Sequence, residues 1–161
     1  MRILIISDTH TDSTEKLPKV ILEEAAKADT ILHAGDIDNY QLIRELKSIN
    51  PSVYAVRGNM DEGLGDGSLP ATRQMSFEGV LIGIAHGHGS PFGLENRLLY
   101  LFPDADIIVY GHTHKPFWGE IGGVYMLNPG SPTANRYQNS GSYAVLTIDE
   151  NGFNAVIHII E

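Results

Sequence analysis

The 161-residue chain contains no cysteine. That excludes a disulfide framework, a Cys-type zinc site and a thiolate nucleophile, so any bound metal must be held by His, Asp, Glu, Asn or backbone oxygen. Positive charge is also scarce: 11 Lys and Arg stand against 20 Asp and Glu, a formal net charge of -9. A surface this acidic repels nucleic-acid backbones and anionic membranes, which argues against duplex binding but leaves room for a small anionic ligand. Long apolar runs are missing too. The first, Ile3 to Ile6, is broken by Ser7 and Asp8, too soon for the apolar region of a signal peptide or for a membrane span, and the expected location is the cytoplasm. No repeat, low-complexity tract or linker divides the chain, so residues 1–161 are expected to form one domain with a full core.

What is there reads as α/β in front and mostly β behind. Ile3-Leu4-Ile5-Ile6 has the length and branched content of a buried strand. A helix follows with Leu17, Ile21, Ala25 and Ala28 on one stripe, Pro18 being tolerable only near its first turn. The strand Thr30 to Ala34 ends at Gly35-Asp36. Asn39 can cap a second helix, whose apolar face is Leu42, Ile43, Leu46 and Ile49, and Asn50-Pro51 stops it. Val53 to Val56 leads into Gly58-Asn59, Val80 to Ala85 into His86-Gly87, and a helix spans about Leu94 to Phe102. Ile107 to Tyr110 ends at Gly111-His112-Thr113-His114. Beyond that point Gly122-Gly123, Asn128-Pro129-Gly130 and Asn151-Gly152 punctuate apolar runs without helical period, and Ser142 to Ile160 is a hairpin candidate. Two packed sheets with helices outside would bury all these runs.

Five of the strands end in metal-competent side chains: Asp8 and His10, Asp36, Asn59, His86 with His88, and His112 with His114. In sheets of this kind ligands gather at the carboxyl ends of strands, so these residues are expected to converge. Five of the seven histidines lie in these ends. Two residues apart on extended chain, His112 and His114 would point to one side, as would Asp8 and His10. Seven ligands are too many for one tetrahedral zinc, and two divalent ions sharing Asp36 fit better, with imidazole, carboxylate and amide oxygen suiting Mn²⁺, Fe, Ni or Zn²⁺. At the roughly 3.5–4 Å spacing of two-metal sites, a bridging water becomes a hydroxide able to attack phosphorus in line.

The ordered set Asp8-x-His10, Gly35-Asp36, Gly58-Asn59-x-Asp61, His86 and Gly111-His112-x-His114 resembles the calcineurin-like metallophosphoesterases. The short length and the Asn128-Pro129-Gly130-Ser131 segment are similar to the family's small prokaryotic phosphodiesterase branch. The resemblance implies a β-sandwich of two mixed sheets flanked by helices. It also implies a first ion on Asp8, His10, Asp36 and His114, and a second on Asp36, Asn59, His86 and His112, with Asp36, Asn59 and His86 closest to catalysis. Many members carry a histidine after the Gly-Asn pair, where it protonates the leaving group. Met60 stands there in this chain, and a thioether cannot donate a proton, so substrates with an already stabilised leaving oxygen are favoured. Small phosphodiesters are the expected substrates. The competing functions are a phosphomonoesterase acting on nucleotide or phosphoprotein, and an interaction scaffold without turnover.

Other polar residues get plainer readings. Asp61 reads as an unpaired surface carboxylate, His33 as a satisfied, partly buried side chain, and His158 as structural. His88 and Arg136 are candidates for touching substrate, Arg136 as a bidentate phosphate clamp. Asp38, Asn39 and Arg57 carry no assigned role, and Tyr40, Tyr110 and Trp118 read as packing. The glycine-rich stretch Glu62 to Pro70 could form a rim over the site. The last strand, Ala155 to Ile160, offers an edge at which a second copy could pair.

Overall fold

Ile3, Leu4, Ile5 and Ile6 are all buried, as a central strand covered on both faces requires. The computed structural model that shows this describes residues 1–61, 69–133 and 140–161. The strand is β1 (Arg2–Ile6), and it pairs in parallel with β2 (Thr30–His33), which pairs in parallel with β3 (Val53–Ala55). On its other side β1 pairs antiparallel with β9 (Gly141–Asp149), which forms a hairpin with the edge strand β10 (Gly152–Ile160). Glu150 and Asn151 make the turn, and Gly152 opens β10 paired with Asp149, so the hairpin reverses one residue earlier than its Asn-Gly step suggests.

The second sheet has the order β4 (Thr72–Phe77), β5 (Val80–Ala85), β6 (Ile107–Val109), β8 (Val124–Asn128), β7 (Phe117–Ile121), with β5, β6 and β8 parallel. Strand β4 was not expected from the sequence. Its Thr-Arg-Gln-Met-Ser-Phe run is polar and alternately exposed, as an edge strand with one wet face allows.

Side-chain alternation explains the layering. Ile3 and Ile5 face a core shared with Ile82, Ile84, Ile107, Val109 and Leu127 of the second sheet, while Leu4 and Ile6 face the opposite way. There they meet Ile21 and Ala25 of α1 (Lys19–Lys27) and Leu42, Ile43 and Leu46 of α2 (Gln41–Ile49). Asn39 Oδ1 accepts from Gln41 N at 2.9 Å in a turn leading into α2, whose N-cap position is Tyr40 rather than the expected Asn39. The outer face of the second sheet is covered by α3 (Leu94–Leu101), whose Leu94 and Leu98 pack with Ile108, Tyr110 and Met126. The result is an α/β sandwich of two mixed sheets with helices on both outsides. Among the described residues no helix is long and apolar enough to cross a membrane.

Candidate metal centre

Strands β1, β2 and β3 of the first sheet and β5 and β6 of the second send their carboxyl ends to one rim. The chain there does not continue as extended strand. Asp8, His10, Asp36, His112 and His114 have φ of 53°, 45°, 56°, 68° and 58°, which corrects the expectation that the paired residues project alike from extended backbone. Left-handed backbone costs roughly 1–2 kcal/mol per non-glycine residue, so something must hold it. Cross-links between loops do so: Asp8 N donates to Gly35 O (2.9 Å), His10 N to Asp36 O (3.1 Å) and Gly111 N to His86 O (3.1 Å). At Gly58 and Gly111 the requirement is space. A Cβ at Gly58 would strike Asp36 Oδ1, and one at Gly111 would strike Ser7 Oγ and lie 2.6 Å from Asp8 Oδ2.

The segment after β8 bolts the loops together. Asn128 Nδ2 donates to Gly111 O (2.9 Å) and Thr113 Oγ1 (3.0 Å), and Ser131 Oγ donates to Asp8 O (2.7 Å). The Ser131 contact joins groups 123 residues apart along the chain, and no local pattern announces it.

The side chains converge. Asp36 Oδ2 lies 3.3 Å from His86 Nε2 and 3.7 Å from His10 Nε2. Asp8 Oδ1 lies 3.2 Å from His114 Nε2 and 3.7 Å from His86 Nε2, and the Nε2 atoms of His10 and His114 face each other at 3.3 Å. Asn59 Oδ1 is 3.2 Å from His112 Nδ1. All seven residues singled out from the sequence therefore meet at this rim. Asp8 with His10 and His114, and Asp8 with Asp36 and His86, form two groups whose ligand atoms lie within 4.8 Å of one another.

Their outward atoms are pinned. Met60 N donates to Asp36 Oδ1 (2.9 Å) and His112 N to Asp8 Oδ2 (3.1 Å), leaving one oxygen of each carboxylate turned inward. His86 Nδ1 donates to Ala34 O (2.7 Å) and His112 Nε2 to Gly89 O (2.8 Å), which leaves His86 Nε2 and His112 Nδ1 with free lone pairs. Asp38, which had no role assigned from the sequence, takes the Nδ1 side of His10 at 3.3 Å and turns Nε2 inward. Among the described residues this leaves Asp8 Oδ1 and His86 Nε2, together with Ser7 Oγ, buried with no hydrogen-bond partner. Buried polar atoms are normally satisfied, and converging carboxylate and imidazole lone pairs are the donor set a divalent cation requires.

The electrostatics follow from this crowding. Burial disfavours the charged form of His86, but the neighbouring Asp36 and Asp8 carboxylates prevail and its pKa is raised. Burial likewise works against ionised Asp36, yet the His86 imidazole beside it, with Nε2 3.3 Å from Oδ2, outweighs that and its pKa is lowered. A cation binding here would displace protons from imidazole.

Two supporting residues differ from expectation, and a third, Arg97, was not singled out from the sequence. Asp61 is buried rather than a surface carboxylate: Oδ1 accepts from Ile37 N (2.8 Å) and Asp38 N (3.0 Å), and Oδ2 from Gly58 N (2.7 Å). It thereby ties the loop of Asp36 to that of Asn59, which local sequence could not reveal. His33 is fully rather than partly buried; its Nδ1 accepts from Gly35 N (3.2 Å), and Thr9 Oγ1 lies 3.0 Å from Nε2. Burial pushes its pKa down to about 4. Arg97 grips the carbonyls of Phe92 (3.0 Å), His88 (3.1 Å) and Ser90 (2.5 Å). It thus braces the loop whose Gly89 fixes His112. His88 itself is exposed beside this site. His158 stacks on Tyr143, with ring centroids 4.9 Å apart. Arg136, and residues 62–68 of the expected rim, lie outside the described residues.

The match to known proteins agrees with this geometry. The profile of the calcineurin-like phosphoesterase superfamily domain covers residues 1–151. The chain belongs to the calcineurin-like phosphoesterase superfamily. Its metallophosphoesterase relatives include a probable metallophosphoesterase of Methanothermobacter thermautotrophicus, 38% identical over 160 residues, 98% of this chain and 91% of that protein. The phosphodiesterase YfcE of Escherichia coli is 30% identical over 169 residues, 92% of this chain and 89% of its own. The solution structure of Thermotoga maritima protein TM1076 superposes with a TM-score of 0.77 at 35% identity over 99% of both chains. Calcineurin-like phosphoesterases are metal-dependent phosphoric ester hydrolases, and divalent ions are the cofactors the family implies.

Proposed function

We propose that this chain is a phosphodiesterase holding two divalent ions, one on Asp8, His10, Asp36 and His114 and one on Asp36, Asn59, His86 and His112. The observation that carries this is the pair of buried, partnerless atoms, Asp8 Oδ1 and His86 Nε2, in the middle of the converging donors. Asp36 supports its role as the shared ligand by reaching toward both His10 and His86. When bound, the ions supply Lewis acidity at the phosphoryl oxygens and lower the pKa of water toward neutrality. In the net reaction water oxygen bonds to phosphorus, the P–O bond to the leaving group breaks, and a phosphomonoester and an alcohol result.

What the chain itself does is orient. Pinned imidazole tautomers and half-pinned carboxylates hold donor directions before substrate arrives, so little reorganisation is left for the reaction. Met60 is 59% exposed and offers no proton, so the leaving oxygen must be stabilised within the substrate, which favours small or activated diesters. That the relative from E. coli is named a phosphodiesterase supports this preference. The monoesterase alternative uses the same donors and is decided by the ratio of monoester to diester turnover; the scaffold alternative would be favoured by missing ligands, and none of the seven is replaced.

Mn²⁺ is our proposed native metal, with Fe, Ni or Zn²⁺ as substitutes that the mixed donors also accept. We place the enzyme in the cytoplasm as one domain spanning residues 1–161, with His88 and Arg136 as substrate contacts. A second copy would pair at β10, an edge strand with Val156 and Ile159 exposed, and light scattering on the eluting protein reads that directly. The function is tested by hydrolysis of aryl phosphodiesters and monoesters with added Mn²⁺, alongside elemental analysis. Two metal equivalents and faster diester turnover are expected; no turnover under any metal would sink the proposal.

A further inference from the structure

Beside the metal centre lies a cavity of about 480 Å³, bounded on one side by Asn59 and His86. It exceeds what a phosphoryl group needs and falls in the range of cavities that enclose an organic ligand. One wall is apolar, formed by Leu94, Leu98 and Leu101, while Arg57, Arg97 and His88 supply the basic groups. No carboxylate is found among its described lining residues, in a chain where Asp and Glu outnumber Lys and Arg 20 to 11.

The two arginines differ in what they are free to do. Arg97 is committed to three carbonyls of the 88–92 loop. Elsewhere Arg2 pairs with Glu24, Arg44 lies over the Tyr40 ring, and Arg73 donates to Ala55 O. Arg57 is exposed, and among the described arginines its guanidinium alone has no partner. It stands two residues from Asn59 and lines a cavity whose described lining carries no carboxylate. A free, planar five-donor fork in that setting is built to receive an oxyanion. The scissile phosphoryl is assigned to the metal donors, which leaves Arg57 available for a second anion.

We propose that the cavity takes one arm of the diester substrate, that this arm pairs an apolar or aromatic body with a second phosphate, and that Arg57 clamps that phosphate. The body lies along the leucine wall while the scissile phosphorus reaches Asn59 and His86. Phosphorylated nucleoside diesters have this chemistry. The assignment rests on the phosphodiesterase reading and narrows its substrate class.

The test compares the p-nitrophenyl ester of thymidine 5′-phosphate with the same ester bearing a 3′-phosphate, using Mn²⁺-loaded wild type, Arg57→Met and Arg57→Lys. The wild-type kcat/KM ratio should favour the 3′-phosphorylated ester by about tenfold or more, the scale of one charge-assisted hydrogen bond. It should fall toward one in Arg57→Met, mainly through KM, with Arg57→Lys between. Calorimetric binding of thymidine 3′,5′-bisphosphate should weaken by about tenfold to a hundredfold in Arg57→Met. A wild-type ratio near one, a ratio untouched by Arg57→Met, or bisphosphate binding that is absent or insensitive to Arg57 overturns the proposal. If neither ester is hydrolysed under any metal but bisphosphate binding still depends on Arg57, the diesterase reading fails and the cavity assignment stands.

Discussion

The two sheets contribute unlike halves to one centre. The first supplies Asp8, His10, Asp36 and Asn59, mostly oxygen donors; the second supplies His86, His112 and His114, all imidazoles. The halves are held by opposite chemistry, since backbone N–H groups pin the carboxylates and carbonyls pin the imidazoles. The pins also cross over. Asp8 of the first sheet is held by His112 N of the second, and His86 of the second by Ala34 O of the first. Neither sheet could therefore present its half correctly alone.

Removing the shared carboxylate should break this arrangement most severely. Asp36→Ala is expected to lower kcat/KM on an aryl phosphodiester by about 10³-fold or more and to reduce bound metal, the scale seen when a group stabilising transition-state charge is lost. Full metal content with undiminished turnover would show that the halves do not meet at Asp36.

The oxygen half rests on Asp61, and its loss is next in size. Asp61→Ala leaves three N–H donors, two of them buried, without their carboxylate, at about 1–3 kcal/mol for a typical buried unpaired group. A urea-unfolding loss of about 3 kcal/mol or more is expected, and one below 1 kcal/mol would show that water replaces it.

Two buried histidines sharpen the contrast through pH. His33, on the first sheet, has its pKa pushed down to about 4, so between about 6.5 and 4 the unfolded chain takes up a proton that the folded one refuses. Falling pH across that window should remove about 3 kcal/mol of stability, and none further below it. His86, on the second sheet, shifts upward, so in metal-free protein its contribution is present at low pH and fades as pH rises through its folded pKa. The difference between wild type and His33→Gln in pH-dependent urea unfolding isolates the first effect; parallel curves would refute it.

The smallest effect probes the imidazole half. Arg97→Met should loosen the loop carrying Gly89 and weaken metal binding by about tenfold, as outer contacts of metal-bound histidines typically do. A metal titration that also follows the His112 ring-nitrogen resonances by NMR separates this from simple destabilisation. An unchanged His112 tautomer with unchanged affinity would remove Arg97 from the centre.

The layering was legible in the sequence because it depends on alternation and on runs such as Ile3 to Ile6, which are local. So was the gathering of Asp8, His10, Asp36, Asn59, His86, His112 and His114, because a strand's end is a local event repeated five times. Strand β4 was not, since its polar alternation looks like loop until β5 pairs with it and Met75 and Phe77 pack against the core between the sheets. Asp61, Asp38 and Arg97 were not either: each acts on a group defined by another loop's path. The left-handed backbone at the paired ligands was hidden for the same reason, being imposed by cross-links from neighbouring loops.

That backbone has a thermodynamic consequence. Five of the residues proposed as ligands sit in conformations that an isolated peptide would rarely visit, and backbone cross-links between the loops hold three of these turns in place. The conformational search for the coordinating geometry is finished when the chain folds, so loading an ion adds little ordering entropy of its own. Small zinc domains couple metal binding to folding. Here the cross-links that hold the turns are made by backbone groups alone, so the proposed ions would meet a frame that folding has already built.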